Sequence, residues 1–340
     1  MRWLRTTIGG KVIMKKIIVL LVAMCLAFLM LAGCSSSSSG DKKSSESKLV
    51  DLKMGTEAWI GYGPWWIADQ AGIFKKNGIN SDIIMFKQDA DINAAFASDK
   101  IQFANIASHT AMKMKANNNL DLKGVAFLDE SKTADAMITM SKYKDLAALK
   151  GKKIAYEEGT TSDLLFRQAV KSAGLSMKDF NVVYMAASDA GLALLSNKVD
   201  AAVTYEPYIS TIMQKNKKVH RIYSGEDSPG LISDMTVAKS SYLSKNPGIK
   251  AKLQKVWDEA LDYWKEHPDE GNKMVAEASG TSVDELPTIV EGIKFFTLDQ
   301  QKDDASSGKL SKGLANIKGI LNGQKQLKKD LDVDELIDIN

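Results

Sequence analysis

The sequence predicts an α/β fold in which two lobes are joined by a two-strand hinge. Short apolar runs typical of strands alternate with helical stretches from residue 49 onward, and this rhythm indicates βαβ units with a largely parallel sheet. The same rhythm starts anew near residue 151 and stops near residue 232. About 290 residues follow residue 48, which exceeds one ordinary domain and suits two.

The order of expected elements sets the lobe boundaries. The first series has strands at 52–56, 82–86 and 102–106, with helices near 64–71, 92–97 and 110–116. The second has strands at 153–156, 182–185, 201–204 and 219–223, with helices at 162–173, 190–197 and 208–215. A strand at 234–238 is followed only by helices, and 134–140 is a strand that leaves the first series. We therefore expect crossings near Thr139 and Ser233, a first lobe of 49–139 plus 234–340, and a second lobe of 140–233.

Residues 1–33 have the pattern of a bacterial signal peptide. They carry five Lys or Arg residues and no Asp or Glu, and an apolar run follows at 17–31. Leu, Ala and Gly directly precede Cys34 and fit a lipobox, in which Cys34 receives the lipid. The alternative is a membrane-spanning anchor, but the run is shorter than the roughly 20 residues that a spanning helix needs. Met14, followed by two lysines, would also make a complete start, so 1–13 is a candidate start overcall.

Cleavage before Cys34 changes the charge balance of the chain. Lys plus Arg falls from 45 to 40 against 42 acidic residues, so the net charge becomes −2 instead of +3. This balance leaves no basic footprint for nucleic acid. Because Cys25 lies in the leader and Cys34 is lipidated, the folded part has no disulfide, thiol nucleophile or cysteine metal ligand.

Residues 35–48 are mostly serine with scattered charges, which predicts a flexible tether. At about 5–6 Å × √n, such a tether lets the folded part move roughly 20 Å from the membrane. Mature bacterial lipoproteins carry more than one acyl chain, so the anchoring is expected to be stable. The expected location is the extracytoplasmic face of the cell membrane, where the chain is a lipid-anchored monomer.

One aromatic-rich stretch follows the first expected strand. Trp59, Tyr62, Trp65 and Trp66 lie in a loop and in the helix that begins near Pro64. Open α/β sheets bind ligands just beyond the carboxyl ends of their strands, so we expect Trp59, Tyr62 and Trp65 to form one lip of a small-molecule cleft. The alternative is core packing, which the helical spacing favours for Trp66.

Four stretches carry a resemblance to a known family. In chain order they read GYGPWWIADQAGIFKKNGI at 61–79, FANIASHT at 103–110, AYEEGTTSDLLFRQAVKSAGL at 155–175 and VDAAVTYEPY at 199–208. The chain resembles the substrate-binding proteins of ABC importers in the nitrate, sulfonate, taurine and pyrimidine-precursor group, over roughly residues 50–300. The resemblance implies a type II periplasmic-binding-protein fold that closes on a small solute and delivers it to an ABC permease with its ATPase.

The turn formed by Thr160, Thr161 and Ser162 is a candidate anion site. These residues lie between an expected strand and an expected helix. Their hydroxyls, the free N–H groups of the helix and the positive end of its macrodipole can all face an anion. The alternative is N-capping, which we expect for Thr160 or Thr161 in either case.

Two carboxylates are candidates for binding a cation or an N–H donor. Glu206 ends a strand and is held extended by Pro207, and its alternative is a surface capping residue. Asp135 lies in the otherwise apolar stretch 134–140, and its alternative is a solvent-facing edge residue. Tyr205 adds a stacking ring. The remaining candidates for solute contact lie at the ends of expected strands of the first lobe and are Ser108, His109 and Asp234.

The sequence offers little for catalysis. A lone histidine such as His109 is more often a hydrogen-bonded loop residue than a ligand, and no three His, Asp or Glu residues have metal-ligand spacing. There is no Gly-x-Ser-x-Gly elbow and no P-loop. Fungal pyrimidine-precursor synthases share the implied fold but carry a cysteine-rich motif that this sequence lacks. We therefore expect a binding protein without cofactor or metal rather than an enzyme.

The identity of the solute stays open at this point. An anion-binding turn, an acidic corner and an aromatic lip could hold a zwitterion such as an aminosulfonate. The same parts could hold a pyrimidine, a thiamine precursor or another nitrogen heterocycle stacked on Trp59 or Tyr62. We expect Glu206, assisted by Asp135, to contribute more to specificity than Thr161.

Overall fold

Two sheets organise the chain. A computed structural model describes residues 49–339, so the predictions for the leader, for Cys34 and for the tether fall outside the described residues. The strands are β1 (Val50–Thr56), β2 (Ile79–Met85), β3 (Phe103–Ala107), β4 (Leu122–Ser131), β5 (Asp135–Met140), β6 (Lys153–Tyr156), β7 (Asn181–Tyr184), β8 (Ala201–Tyr205), β9 (Val219–Ser224), β10 (Ser233–Lys239) and β11 (Ile293–Phe295).

Helices follow most of these strands, as the alternation predicted. They are α1 (Gly63–Gln70), α2 (Ile73–Lys76), α3 (Asp89–Ala97), α4 (Ser108–Asn118), α5 (Thr161–Ser172), α6 (Ala187–Leu195), α7 (Tyr208–Lys215), α8 (Ser240–Lys245), α9 (Ile249–Glu266), α10 (Pro268–Ser279), α11 (Leu286–Glu291), α12 (Leu298–Ser306) and α13 (Lys309–Gly323). Within 49–339, no helix has the length and apolar character that crossing a membrane requires.

Each sheet combines a parallel part with antiparallel strands. The first has the order β11-β4-β10-β3-β1-β2, and the second has the order β7-β6-β8-β5-β9. Strand β1 is parallel to β2 and β3, and β6 is parallel to β7 and β8. In the first sheet, β10 pairs antiparallel with β3 and β4, and β11 pairs antiparallel with β4. In the second sheet, β5 pairs antiparallel with β8 and β9. The parallel character predicted from the alternation is therefore limited to three strands per sheet.

The structure corrects two expected elements. Strand β5 pairs with β8 and β9, so 135–140 belongs to the second sheet and the first crossing lies at 132–134 rather than near Thr139. A strand-like run can pair with either sheet, and only its distant partners decide which. The expected all-helical end also contains a strand, because β11 pairs with β4 beside the second crossing at 225–232.

The two crossings lie side by side. The backbone N–H of Glu226 donates to the carbonyl of Lys132 at 2.7 Å, and the N–H of Ser131 donates to Ile232 at 3.1 Å. A Cβ on Gly225 would overlap the carbonyl oxygens of Ser131 and Lys132, so only glycine allows this approach. The chain therefore passes between the sheets through two directly bonded segments.

Buried side chains connect the elements into continuous cores. Trp65 of α1 packs in the first lobe with its ring centre 5.0 Å from Trp257 of α9. A second cluster extends from Met112 of α4 to Leu165 of α5 and so includes elements that flank both sheets. One core cluster thus includes elements of both lobes in this conformation.

Candidate functional site

A cavity lies where strands of both sheets end. It has a volume of about 40 Å³, which is room for about three water-sized groups at 10–15 Å³ each. Glu57 directly follows β1, and Glu157 directly follows β6, while Tyr205 ends β8. Parallel strands bring their carboxyl ends to one edge of a sheet, which is where open α/β sheets bind ligands.

Five carboxyl groups line the cavity. They belong to Glu57, Asp89, Asp135, Glu157 and Asp234. Asp135 and Asp234 are 6% and 5% exposed. Carboxyl groups from both sheets therefore converge on one small space.

Burial changes the protonation of these groups. It raises the pKa of Asp89 to about 7, and the nearby charges of Glu157 and Asp234 act in the same direction. Burial likewise raises the pKa of Asp234 to about 7 and that of Asp135 to about 8. The pKa of Glu57 is held well above its usual range by burial and then by the charge of Asp89. Asp89, Asp135 and Asp234 consequently retain protons in part near neutral pH.

Three aromatic residues complete the walls. The indole N–H of Trp59 donates to Asp129 with the nitrogen 3.3 and 3.4 Å from its two oxygens, and Tyr62 donates to Asp234 at 2.8 Å. The Trp59 and Tyr205 rings meet edge to face with centres 6.1 Å apart. Trp59, Tyr62 and Tyr205, which the sequence suggested as ligand contacts, all line the cavity.

The turn at 160–162 also reaches the cavity, but its hydroxyls are partly used within the turn. Thr160 Oγ1 donates to the carbonyl of Glu157 at 2.9 Å, and Ser162 Oγ accepts from the N–H of Glu157 at 3.0 Å. The expected capping by Thr160 is wrong, since its side chain makes no cap hydrogen bond. Asp163 in the first turn of α5 instead accepts from the N–H of Gly159 at 3.1 Å. A carboxylate of the protein thus already occupies this helix start.

Three predicted residues lie away from the cavity. Trp65 is fully buried against Trp257, because its position on α1 faces the core of the first lobe. Ser108 bonds to Ser233 through its hydroxyl at 2.8 Å. His109 is buried beside Thr110, with 3.4 Å between Nε2 and Oγ1, and burial holds its pKa well below the usual range. The histidine is therefore a neutral, hydrogen-bonded residue, which was the alternative reading of the sequence.

Glu206 also lies outside the cavity. Tyr205 faces inward, and successive residues of an extended chain face opposite sides, so Glu206 faces outward. Its carboxylate lies 2.8 Å from Arg221 Nη2 and accepts from the N–H and hydroxyl of Ser210 at 2.9 and 3.0 Å. The expected role of Glu206 in ligand specificity is not supported by this position.

Contacts between the two lobes bridge the cavity, which is partly open to solvent. Tyr205 O–H donates to Glu57 Oε2 at 3.3 Å, and Lys87 Nζ lies 3.1 Å from Asp189 Oδ2. Lys113 of α4 donates to the carbonyl of Gly159. These contacts describe a closed cleft.

The sequence analysis missed three of the five carboxyl groups. Glu57 and Glu157 directly follow β1 and β6, so the rule that pointed to the aromatic lip would also have found them. Asp89 begins α3, where an acidic residue is expected merely to face the positive helix end. Within the described residues, no group of three or more His, Cys, Asp or Glu is arranged to hold a metal ion.

Solved structures that are similar to this chain share its fold. The periplasmic aliphatic sulphonate binding protein SsuA from Escherichia coli is 19% identical, with a TM-score of 0.67 over 85% of this chain and 97% of that chain. The alkanesulfonate-binding protein SsuA from Xanthomonas axonopodis pv. citri, bound to MOPS, is 17% identical, with a TM-score of 0.69 over 85% of this chain and 98% of that chain. This likeness shows that the chain has the type II periplasmic-binding-protein fold.

The sequence comparisons identify the family. The model described as NMT1/THI5 like matches residues 59–271, and the chain belongs to this family. A Bacillus subtilis (strain 168) protein named as a candidate aliphatic sulfonates-binding protein is 25% identical over 271 residues, 78% of this chain and 78% of that protein. The resemblance to substrate-binding proteins of ABC importers is thereby confirmed.

Proposed function

We propose that this chain is an extracytoplasmic lipoprotein that captures a small organic solute in the cavity and delivers it to an ABC importer permease. The observation that carries this proposal is the cavity at the strand ends of both sheets, lined by Trp59, Tyr62 and Tyr205. Relatives and structural neighbours are named as binding proteins, which supports capture without chemistry. The lipobox at Cys34 supports membrane anchoring of a monomer that works with a permease and its ATPase.

Native mass spectrometry of the full chain, extracted in mild detergent without refolding, tests the capture of a solute. We expect a bound small molecule to be released when the complex is dissociated, and the mass of that molecule to be unchanged. A bound molecule that the protein converts into a product on incubation would favour the alternative, a pyrimidine-precursor synthase-like enzyme.

The anchor is tested by replacing Cys34 with Ser. We expect the Cys34→Ser protein to leave the membrane fraction with unchanged thermal stability. Cys25→Ser is the matched control, because this cysteine lies in the leader and its replacement leaves the lipobox intact. Unchanged membrane partition of the Cys34→Ser protein would remove the lipoprotein proposal.

We also propose that the paired crossings at 132–134 and 225–232 act as a hinge. A ligand that binds between the lobes stabilises the folded protein by RT ln(1 + [L]/Kd) and favours the closed form. We expect small-angle scattering to show compaction when a stabilising ligand is added. Thermal stabilisation without any compaction would contradict hinge closure.

A further inference from the structure

The lining of the cavity is acidic and has no opposing cation. Five carboxyl groups line it, whereas no Lys, Arg or His of residues 49–339 is among its lining residues. Lys113 is a cation outside the lining whose charge interacts with Asp89 and with Asp163. Its ammonium group donates to the carbonyl of Gly159 in the opposite lobe. The protein therefore supplies little positive charge to the interior of its own cavity.

The carboxyl groups differ in how far the protein satisfies them. Glu157 accepts from the N–H of Ala187 at 3.0 Å, and Asp234 accepts from Tyr62 at 2.8 Å. By contrast, Oε1 of Glu57 is buried and has no hydrogen-bond partner. Glu57 directly follows β1, and Asp89 begins α3 after the neighbouring strand β2. The two carboxyl groups interact through their charges and through a side-chain hydrogen bond. A buried acceptor without a donor is costly, and a ligand N–H group would satisfy it.

The features expected to hold an anion are already used. The N–H of Gly159 donates to the carboxylate of Asp163 in the first turn of α5, and this carboxylate also lies 2.6 Å from Arg167 Nε. A sulfonate or nitrate at the turn would meet this carboxylate and that of Glu157. Like charges at close range in a buried site are strongly unfavourable.

The walls suit an organic cation. Trp59 and Tyr205 lie beside Glu57, and the phenol of Tyr205 donates to its Oε2 at 3.3 Å. Aromatic faces attract ammonium, amidinium and guanidinium groups through their quadrupole, and carboxylates accept the N–H bonds of such groups. The described residues hold no metal-type cluster, which favours an organic cation over a metal ion.

We propose that the cavity binds a small organic cation, such as a protonated amine or an amidinium, at Glu57 and Asp89 beside Trp59 and Tyr205, and that it rejects sulfonates and nitrate. This inference rests on the proposed solute-binding function and narrows its ligand class. Three matched probes distinguish the cation proposal from solute binding in general. Benzamidinium, benzamide and benzoate are planar and nearly equal in shape but carry positive, zero and negative charge. Only the three-atom head group of each probe has to enter the cavity, which has room for about three water-sized groups, while the ring stays at the open side of the cavity.

The test measures thermal shift and calorimetric affinity of the full chain with these probes, and with ethanesulfonate, taurine and nitrate. We expect benzamidinium to bind at least tenfold more tightly than benzamide, and the anions not to bind. Binding of benzoate, ethanesulfonate or nitrate at least as tight as that of benzamidinium overturns the cation inference and leaves solute binding intact. No binding by any member of the panel, together with no co-purifying molecule, overturns the solute-binding function itself.

Two variants assign the binding to named carboxyl groups. We expect Glu57→Gln and Asp89→Asn each to weaken benzamidinium at least tenfold while changing benzamide by less than twofold. Glu206→Gln is the matched control, since Glu206 is a carboxylate that is bonded to Arg221 and lies outside the cavity, and it leaves benzamidinium affinity within twofold. Equal losses for all three variants overturn the assignment.

A measurement on the unchanged protein covers the case in which the variants do not fold. A cation that binds to carboxyl groups retaining protons displaces those protons. We expect titrations in buffers of different ionisation heat to show proton release when benzamidinium binds near pH 7. Binding of benzamidinium without proton release overturns the role of these carboxyl groups.

Discussion

Asp135 and Glu206 are neighbouring buried carboxylates at the same end of the second sheet, yet they have opposite surroundings. Asp135 opens β5 opposite Tyr205, and Glu206 directly follows Tyr205. Asp135 faces other carboxyl groups across the cavity, whereas Glu206 faces Arg221 and Ser210. The alternation of an extended chain thus places one acid in a site open to a ligand and the other in a site already neutralised.

The largest expected difference between the two sites is in pH dependence. Burial raises the pKa of Asp135 to about 8 from a usual value near 4, so its contribution to stability is present at low pH and is lost as the pH rises towards 8. A single group of this kind changes stability by up to about 1.4 kcal/mol per pH unit. Between pH 5 and pH 8, we expect the free energy of unfolding of Asp135→Asn to rise by about 3 kcal/mol relative to that of the native chain.

Urea unfolding of both proteins at several pH values checks this expectation. Glu57, Asp89, Asp234 and Glu206 interact with Asp135 or share its cavity, so part of the pH dependence remains in the variant. Parallel stability curves for Asp135→Asn and the native chain would contradict the prediction.

The ion pair of Glu206 provides the second comparison. Arg221→Leu leaves the Glu206 carboxylate buried with Ser210 as its remaining partner, and removing one member of a fully buried pair costs about 3–5 kcal/mol. Since 34% of the Arg221 side chain is exposed, we expect about 2 kcal/mol. The double variant Arg221→Leu with Glu206→Gln is the control and is expected to recover most of this loss in thermal unfolding. A single variant as stable as the native chain would show that the pair contributes nothing.

The two tryptophans of the aromatic stretch separate binding from stability. Trp65→Phe removes core contacts with Trp257 and is expected to cost about 1.5 kcal/mol of stability with ligand affinity unchanged. Trp59→Phe removes a cavity wall and the donor to Asp129, and is expected to weaken benzamidinium by about 1 kcal/mol. Calorimetry and thermal unfolding of both variants check this contrast. Equal effects on affinity would contradict it.

The smallest expected effect belongs to the turn at the start of α5. Thr161 lines the cavity, but a neutral hydroxyl beside a helix start that faces Asp163 adds little to a cation site. We expect Thr161→Ala to change benzamidinium affinity by less than about 0.5 kcal/mol in calorimetry. A large loss accompanied by new affinity for nitrate or sulfonate would favour an anion held by the helix end.

The sequence predicted the elements and the cleft edge better than the individual contacts. Trp59 and Tyr62 were found because ligand sites follow strand ends, and both line the cavity. Trp65 was placed there too, since a residue just inside a helix can face the core or the cleft and only the packing partner Trp257 decides. Contacts with distant partners are absent from local patterns.

The same limit explains the errors at Glu206 and at β5. Local order gave Glu206 a fixed extended position but not the side of the chain that it faces, nor Arg221 as its partner. Strand 135–140 was recognised, but its pairing with β8 and β9 involves residues more than sixty positions away. Asp89 was missed because an acidic residue at a helix start is usually explained by the helix alone.

The adjacency of the two crossings has a consequence for protein engineering. Residues 135–224 form the second sheet and its helices, and the two ends of this segment lie side by side where they connect to the first sheet. Ala136 is paired to Ser224, and Glu226 is bonded to Lys132. Ends that lie this close suit circular permutation and domain grafting. A fluorescent reporter inserted at the turn of residues 228–230 would lie beside both crossings. Opening and closing of the cleft could then be measured as a change in its fluorescence.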